Sequence, residues 1–347
     1  MNNPLFTIIC PLCKKYECYY AELIDGIKNQ TFSDFECLLI NDEKDHDFIV
    51  APDDRFKIII LDTKNYVGCN RNLGIEKAIG KYIVFCDADD YFPKNLLQTF
   101  HDILEKFDAD LVITKATRNE NDLIDNHHTI DISNYISDKT EIIDLFFSRY
   151  INVENVTKGI VLDGCWGRAY KRQVLIDNAV RFVEEPCRAE DALFENDCAI
   201  NIKSLYLAND YYGYYWRRNS NSTMRNINSF FYNINPYIKK LKEQSQICNG
   251  KYFETLKSYR TDCFFDLFFL FCKFYRLKSI TRREFVKKLK NLLHKNSECY
   301  LLIRDKTMLR SKSEKILAFT LKLKAYRLSI FIGKLFLKRK EKRQQHK

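Results

Sequence analysis

Five short apolar runs, separated by segments with helical periodicity, constrain the fold of this chain more than any other feature. The intervening segments 16–28, 69–79 and 94–107 carry apolar residues three and four positions apart. The runs themselves are nearly all apolar, as expected of strands covered on both faces: FTIIC (6–10), ECLLI (36–40), FKIIIL (56–61), YIVFC (82–86) and DLVIT (110–114). This alternation predicts an α/β fold with a mostly parallel central sheet flanked by helices.

Polar residues follow these predicted strands at their carboxyl ends. Pro11 follows the first strand, Asn41 and Asp42 follow the second, and the stretch CDADD (86–90) ends the fourth. In open α/β sheets, ligands bind outside the carboxyl ends of the strands. The sequence therefore predicts a binding site at this edge of the sheet.

Three aspartates at one strand end predict a divalent metal site. Mg²⁺ and Mn²⁺ prefer oxygen ligands, take one or two carboxylates from a protein and leave positions open for a substrate diphosphate. We expect Asp89 to be the first ligand, with Asp87 or Asp90 assisting. The alternative is an acidic turn or a helix N-cap before Pro93, but three aspartates exceed what one cap requires.

Two separated stretches of the first 115 residues carry a family resemblance. They are FTIICPLCKKYECYYAELIDGIKNQTFSDFECLLIND and CNRNLGIEKAIGKYIVFCDADDYF. Their order resembles the family 2 glycosyltransferases, which are nucleotide-sugar-dependent, mostly inverting enzymes of GT-A fold, a Rossmann-like arrangement. The resemblance is dense over 6–115, fainter over 163–223 and absent after about 225.

The resemblance implies roles for several residues of the predicted strand ends. Pro11 would lie on the nucleotide-binding strand end, Asp42 would contact the uracil and Arg71 would approach the nucleotide. The pair Asp87 and Asp89 would be the motif that binds metal and diphosphate. The chain departs from the family pattern at Asn41, where an aspartate is usual.

Glycosyl transfer also requires a group that takes the proton of the acceptor hydroxyl, and a carboxylate suits this role. The stretch CRAEDALFEND (187–197) offers Glu190 and Asp191. In the family such a pair follows a segment like CWGRAYKR (165–172), so the resemblance makes Asp191 the base and Glu190 a residue that orients substrate. The alternative is a helix N-terminus enriched in acidic residues.

The segment YYGYYWRRNSNST (211–223) ends a second predicted strand, after one over 204–208. Arg217 or Arg218 at its end would clamp the diphosphate, or else be solvated residues at a strand end. Trp166 leaves a similar choice between stacking on an acceptor sugar and packing in the core.

The positive charge is concentrated at the end of the chain. The net charge is +10, and from residue 310 onward thirteen basic residues against two acidic ones give +11, so the rest sums to about −1. This tail predicts an anionic partner, either a membrane surface or nucleic acid. Segment 316–337 has too many charges to span a bilayer, which leaves a surface anchor or a packed helix with a basic end. With the resemblance, we expect an anionic membrane and no nucleic acid.

These observations predict three regions and a cytoplasmic location. Residues 1–115 would be the nucleotide-sugar half of a GT-A domain, 116–225 the acceptor half, and 226–347 a helical, basic extension. The thirteen scattered cysteines, with no apparent signal peptide, predict reduced thiols in the cytoplasm. The tail would place the protein on the inner face of the plasma membrane, and the aromatic run 263–275 would be a core helix.

The predicted function is an inverting, hexosyltransferase-type enzyme of bacterial surface-polysaccharide synthesis. It would use Mn²⁺ or Mg²⁺ to move a sugar from a UDP-sugar to a hydroxyl of a lipid-linked or cell-surface glycan. A haloacid-dehalogenase-type phosphatase also has Asp-x-Asp after a strand, but it requires Thr or Val four residues after the first Asp, where this chain has Tyr91. A non-catalytic basic adaptor that binds membrane or RNA explains only the tail.

Overall fold

The computed structural model describes residues 3–42, 50–62, 65–124, 126–148, 160–162, 164–185, 187, 189–218, 234–248, 253–294, 297–304, 309 and 311–345. The chain divides into two compact units. The first unit comprises Met1–Glu185 with Ala189–Asn221, and the second comprises Pro186–Arg188 with Ser222–Lys347.

The first unit is built on a mixed sheet with, in the described residues, eight strands. Neighbouring strands follow the order β3-β2-β1-β4-β7-β5-β8-β6. The pairs β3–β2, β2–β1, β1–β4 and β5–β8 are parallel, while β7 and β6 pair antiparallel with their neighbours. The bounds are β1 Phe6–Leu12, β2 Phe35–Asn41, β3 Phe56–Ile60, β4 Tyr82–Phe85, β5 Leu111–Thr117, β6 Tyr135–Ile136, β7 Arg168–Lys171 and β8 Leu205–Tyr215. The predicted α/β fold with a mostly parallel sheet is confirmed.

Helices cover this sheet with apolar faces at the spacing the sequence predicts. Helix α3, for example, buries Leu96, Phe100, Ile103 and Leu104, which recur every three or four residues along one side. Strands β1 and β2 are buried at every position, as expected of strands covered on both faces. The helices of this unit are α1 Tyr20–Lys28, α2 Val67–Lys77, α3 Leu96–Phe107, α4 Lys139–Ser148, α5 Arg172–Asp177 and α6 Glu190–Asn201.

The two strands predicted over 204–216 form one continuous strand, β8. The polar pair Asn209 and Asp210 looks like a turn in the sequence, but neighbouring segments satisfy both side chains. Asn209 donates to Asn134, and Asp210 accepts from His128. The pairing of β8 with β5 shifts register between Thr114 and Ala116, so the strand bends without ending.

A crevice opens between β1 and β4 at their carboxyl ends. The β1–β4 pairing stops at Ile9 and Phe85, whereas β1 stays paired with β2 as far as Leu12 and Asn41. The Ile9 carbonyl accepts the last bond from the Cys86 N–H, at 3.1 Å. Pro11, two residues on, points to the same side, so its missing N–H removes no ladder bond. This is the point where strand order reverses, the usual place for a ligand.

The second unit is helical in its described residues. The predicted aromatic core helix lies in α8, where Phe264, Phe265, Phe268 and Phe271 are buried. The tail segment 316–337 is not one helix, because the chain turns at Lys324, which has a φ of +56°. None of the described helices is both long and apolar enough to span a membrane. The bounds are α7 Ile234–Ile247, α8 Phe253–Arg276, α9 Arg282–Leu292, α10 Glu298–Arg304, α11 Lys312–Lys322 and α12 Tyr326–Gln345.

Candidate active site

Helix α2 presents three consecutive buried polar residues, Asn70, Arg71 and Asn72, where a core-facing helix would normally be apolar. The helix packs unusually close to the segment that follows Val180. A Cβ at Gly68 would lie 2.3 Å from the Val183 carbonyl oxygen, so only glycine fits there. Asn72 fixes the same contact by donating to the Phe182 carbonyl at 2.9 Å.

Asn70 reaches the end of β2. Its Nδ2 donates to Asp42 Oδ2 at 2.9 Å, and the backbone N–H of Asn65 donates to the same oxygen at 3.1 Å. Asp42 is 6% exposed. The Oδ1 atom of Asn70 is buried and accepts no hydrogen bond from the described part of the chain. Asp42, which is predicted to contact the uracil, thus lies in a buried polar environment. Asn70 Oδ1 beside it remains available as a hydrogen-bond acceptor.

Arg71 connects the end of β4 with the start of α6. Its Nη2 lies 2.8 Å from Asp87 Oδ1, and its Nη1 lies 2.6 Å from Asp191 Oδ1 and 3.5 Å from Glu190 Oε1. The guanidinium is buried against the ring of Phe182, 5.0 Å from its centroid. One cation thereby gathers carboxylates that are more than 100 residues apart in the sequence.

The acidic pair at the start of α6 titrates above its ordinary range. The pKa of Glu190 is raised to about 7, chiefly by burial and also by the neighbouring Asp191, while Arg71 opposes the shift. Burial also raises the pKa of Asp191, against the lowering effect of Arg71. A carboxylate with a raised pKa is a stronger base than an ordinary one, as proton abstraction requires.

A buried ion pair holds α6 in place behind these two residues. Glu195, in the next turn of α6, is fully buried and accepts hydrogen bonds from Arg168 and from the Tyr170 hydroxyl of β7. Arg168 also donates to the Val161 carbonyl at 2.6 Å. Because β7 is paired with β4, this contact fixes the start of α6 relative to the strand that precedes Asp87.

The three aspartates after β4 differ in their surroundings. Asp90 is 4% exposed, and its two oxygens accept from the Tyr214 hydroxyl and from the Arg217 N–H, both at 2.8 Å. Burial raises the pKa of Asp90 to about 8, with Asp87 and Asp89 adding to the shift. Asp87 and Asp89 are only partly buried. Asp90 therefore links the end of β8 to the aspartate loop that follows β4, whereas Asp87 and Asp89 lie nearer the solvent.

Of the two arginines predicted to clamp a diphosphate, Arg217 lies against the aspartate loop. Its Nε donates to the Asp89 carbonyl at 2.9 Å, and its Nη2 lies 2.5 Å from Glu22. The guanidinium also lies 4.7 Å from the ring centroid of Tyr19. Arg218 is exposed.

Two tryptophans lie beside this loop in different environments. Trp166 is buried and stacks on Tyr214, with ring centroids 4.8 Å apart, so it belongs mainly to the core. Trp216 is 38% exposed, and its ring centroid lies 5.6 Å from that of Trp166. The Arg118 guanidinium covers the Trp216 ring at 3.6 Å. Trp216, which the sequence does not distinguish from an ordinary strand residue, therefore offers a partly open aromatic face.

The structure thus brings together Asp87, Arg71, Glu190 and Asp191 in one cluster, and Asp89, Asp90 and Arg217 at the adjoining loop. Pro11 and Asp42 line the neighbouring ends of β1 and β2. Several residues that build the cluster escape prediction from the sequence: Asn70, Asn72, Arg168, Tyr170 and Glu195. The signal for the first two is the run NRN in a helix that should bury apolar residues.

Comparison with known proteins gives consistent results. Residues 7–177 match the profile of the family described as "Glycosyl transferase family 2". An uncharacterized glycosyltransferase of Haemophilus influenzae is 36% identical over 104 residues, which cover 28% of this chain and 41% of that protein. The poly(ribitol-phosphate) beta-N-acetylglucosaminyltransferase TarS of Staphylococcus aureus is 26% identical over 218 residues, covering 60% of this chain and 35% of TarS. These matches span less than half the length of the relatives.

Solved structures show the same fold. The crystal structure of S. aureus TarS 1-349 in complex with UDP-GlcNAc superposes with a TM-score of 0.60 at 17% identity, covering 97% of this chain and 91% of that one. The predicted fold and family are therefore confirmed. Residues 7–177 belong to the family 2 glycosyltransferases, and the chain has their GT-A fold.

Proposed function

We propose that this chain is an inverting, metal-dependent glycosyltransferase that moves a sugar from a UDP-sugar to a hydroxyl of a lipid-linked or cell-surface glycan. The observation that carries the proposal is the Arg71 bridge between Asp87 and Asp191. It joins a carboxylate at the predicted diphosphate site to a carboxylate suited to proton abstraction. Membership of the family sets aside the phosphatase and adaptor alternatives.

The donor atoms at the end of β4 suit Mn²⁺ or Mg²⁺. In the described residues, no three His, Cys, Asp or Glu side chains form a preformed metal cage. These ions commonly take one or two protein carboxylates and complete their shell with water and phosphate oxygens. We assign the ligands to Asp89 and Asp87, because both oxygens of Asp90 already accept hydrogen bonds. When bound, the ion would neutralise charge that develops on the leaving diphosphate.

The remaining donor contacts come from the ends of β1, β2 and β8. Asp42, held by Asn70, would accept from the N–H of a uracil, with Pro11 beside it on β1. The TarS complexes with UDP and UDP-GlcNAc support uracil as the base. Arg217 and Arg218 would face the diphosphate. Arg71, predicted to approach the nucleotide, is buried among carboxylates, so we assign it the positioning of Asp87 and Asp191.

Asp191 would act on the acceptor. Its carboxylate takes the proton of the acceptor hydroxyl as the hydroxyl oxygen bonds to the anomeric carbon. The bond from that carbon to the diphosphate breaks, UDP leaves with the electron pair, and attack from the opposite face inverts the anomeric centre. Glu190 would orient the acceptor. The raised pKa of the pair favours this proton transfer.

Trp216 and the basic tail supply the proposed contacts with the acceptor and with a membrane. Trp216 presents a partly exposed ring on which a sugar can stack. The tail from residue 310 carries a net charge of +11, thirteen basic residues minus two acidic ones, and would bind an anionic membrane on its cytoplasmic face. A glycan attached to a lipid of that membrane would then be available to the enzyme as an acceptor.

The test is the transfer activity of Asp191→Asn. We expect release of UDP from a UDP-sugar in the presence of Mn²⁺ and a glycan acceptor to fall by about 10²–10⁴, while UDP binding is retained. Asp177→Asn, an exposed residue of α5, is the matched control. Full activity of Asp191→Asn would contradict the assignment of the base.

A further inference from the structure

The last two helices of the second unit expose large apolar side chains in two regular stripes. The side chains are spaced three and four residues apart, and each is between 46% and 63% exposed: Ile316 and Phe319 on α11 with Leu323 directly after its last residue, and Leu328, Phe331 and Leu335 on α12. This spacing places each set of three on one helix face. Scattered apolar residues are normal on a surface, but an ordered stripe is not.

The stripe on α12 is separate from the face by which this helix is packed. Ile330 is buried, and a Cβ at Gly333 would lie 2.6 Å from the Phe268 ring and 2.7 Å from Cys272 Sγ. Helix α12 therefore lies tightly on α8 through the side that carries Gly333. The stripe of Phe331 faces away from that contact, so it is not needed to hold the helix in place.

A basic groove adjoins the start of the same stripe. The groove has a volume of about 580 Å³ and is lined by Arg282, Arg283, Val286, Lys287, Lys290 and Arg327. In the described part of the chain, none of its five cations forms an ion pair. The one nearby carboxylate on α9, Glu284, instead caps the helix by accepting from Thr281. The groove therefore carries five positive charges with no acidic group among its lining residues.

The groove and the stripe are parts of one surface. Arg327, which lines the groove, lies one helical turn before Phe331, so the two side chains share a face of α12. Lys324 and Lys338, both exposed, stand near the two ends of this stripe. Cations thus border the apolar side chains. A ligand that contacts both must carry apolar and anionic groups side by side.

This arrangement fits a lipid bilayer better than a second copy of the chain. Two copies that met through this surface would place like charges opposite one another, which opposes association. In a bilayer, apolar side chains enter the boundary of the acyl chains while lysine and arginine remain at the phosphate groups. We propose that the stripe of α12 and the groove between α9 and α12 form one docking surface for anionic phospholipid, with headgroup phosphates in the groove. This inference rests on the membrane association proposed above and extends it to α9, outside the basic tail.

Sedimentation of the full chain with vesicles tests the surface. Vesicles of phosphatidylglycerol and phosphatidylethanolamine are compared with vesicles of phosphatidylcholine alone. We expect the wild type to bind only the anionic vesicles. The groove variant Arg283→Gln/Lys287→Gln should bind about fivefold more weakly for each cation removed. The stripe variant Leu328→Ser/Phe331→Ser should lose on the order of tenfold for each side chain.

Matched controls on α7 isolate the surface from general charge and hydrophobicity. Lys239→Gln and Ile247→Ser change exposed side chains of the same unit and should bind like the wild type. Thermal unfolding of every variant checks that the fold is intact.

Three results would overturn the inference in distinguishable ways. Undiminished binding by both surface variants would remove this docking surface and leave the tail as the membrane contact. Failure of the wild type to bind any vesicle would remove membrane association itself. If the groove variant alone loses binding and soluble polyphosphate competes fully with vesicles, the groove binds a soluble polyanion, and the lipid assignment is wrong.

Discussion

Arg71 shows how a single side chain organises the candidate site. It is buried and faces three carboxylates, of Asp87, Glu190 and Asp191. One positive charge does not balance three negative ones, and burial weakens the hydration that would otherwise stabilise them. The result is a pair of carboxyl groups at the start of α6 that hold their protons more tightly than exposed ones do.

The pKa of Glu190 gives a prediction for stability. Folding raises it from 4.5 to about 7, so the folded protein keeps a proton that the unfolded chain has released between these pH values. The stabilisation is complete below pH 4.5 and is lost as the pH rises through 7. Glu190→Gln carries no such charge and should therefore be more stable than the wild type above pH 7, by on the order of 1–2 kcal/mol.

The measurement is thermal unfolding of both proteins across this pH range. The difference should be near zero at acidic pH and grow towards pH 8, with Glu105→Gln, an exposed residue of α3, as the control. A difference that does not change with pH would show that Glu190 titrates normally.

At the scale of single residues, the sequence predicts the acidic motifs but not the residues that hold them in place. Asp87, Asp89 and Asp191 are recognisable because strand ends and charge clusters are local features. Asn70 and Glu195 are not, because a polar residue in a helical segment normally indicates a solvent-exposed face. Their partners lie 28 and 27 residues away along the chain, and only folding brings them together.

At the scale of elements, α6 and β7 depend on one buried ion pair. Arg168 and Glu195 are fully buried, and the Tyr170 hydroxyl completes the contact. Removing one partner of such a pair leaves the other charge without compensation in the interior. The position of the α6 N-terminus, and of Asp191 with it, should therefore depend on this contact.

Glu195→Gln should lower the free energy of unfolding by about 3–5 kcal/mol, measured by urea denaturation. Replacing both partners by apolar residues, in Arg168→Met/Glu195→Leu, should recover part of this loss because no unpaired charge remains. Equal stability of Glu195→Gln and the wild type would mean that the pair does not hold α6.

The parallel pairing of the first four strands follows from the sequence, whereas the antiparallel insertion does not. Strands β1 to β4 are contiguous apolar runs, and helices α1 and α2 connect β1 to β2 and β3 to β4, so a parallel sheet is expected. Strand β7 is only Arg168–Lys171, and two of its four residues are basic, which resembles a loop. It lies between β4 and β5, where the buried Arg168 is paired with Glu195 of α6.

At the scale of the whole molecule, charge separates along the chain. The tail from residue 310 has a net charge of +11, whereas the whole chain has a net charge of +10, so the rest of the chain is nearly neutral. The second unit also carries the basic groove at α9. The sequence shows the tail because its lysines and arginines are concentrated in one segment with only two acidic residues. The groove escapes prediction because its cations come from two helices and converge only after packing.

The central claim is that the carboxylates after β4 bind a metal together with a nucleoside diphosphate. Calorimetric titration of UDP into the wild type and into Asp89→Asn, each with Mn²⁺ and with EDTA, tests it most directly, and Asp177→Asn serves as the control. Each 1.4 kcal/mol of binding free energy is a factor of about ten in affinity. We predict that EDTA weakens UDP binding to the wild type by at least about tenfold, and that Asp89→Asn binds equally weakly in both conditions. UDP affinity that is unchanged by EDTA and by Asp89→Asn would contradict the claim.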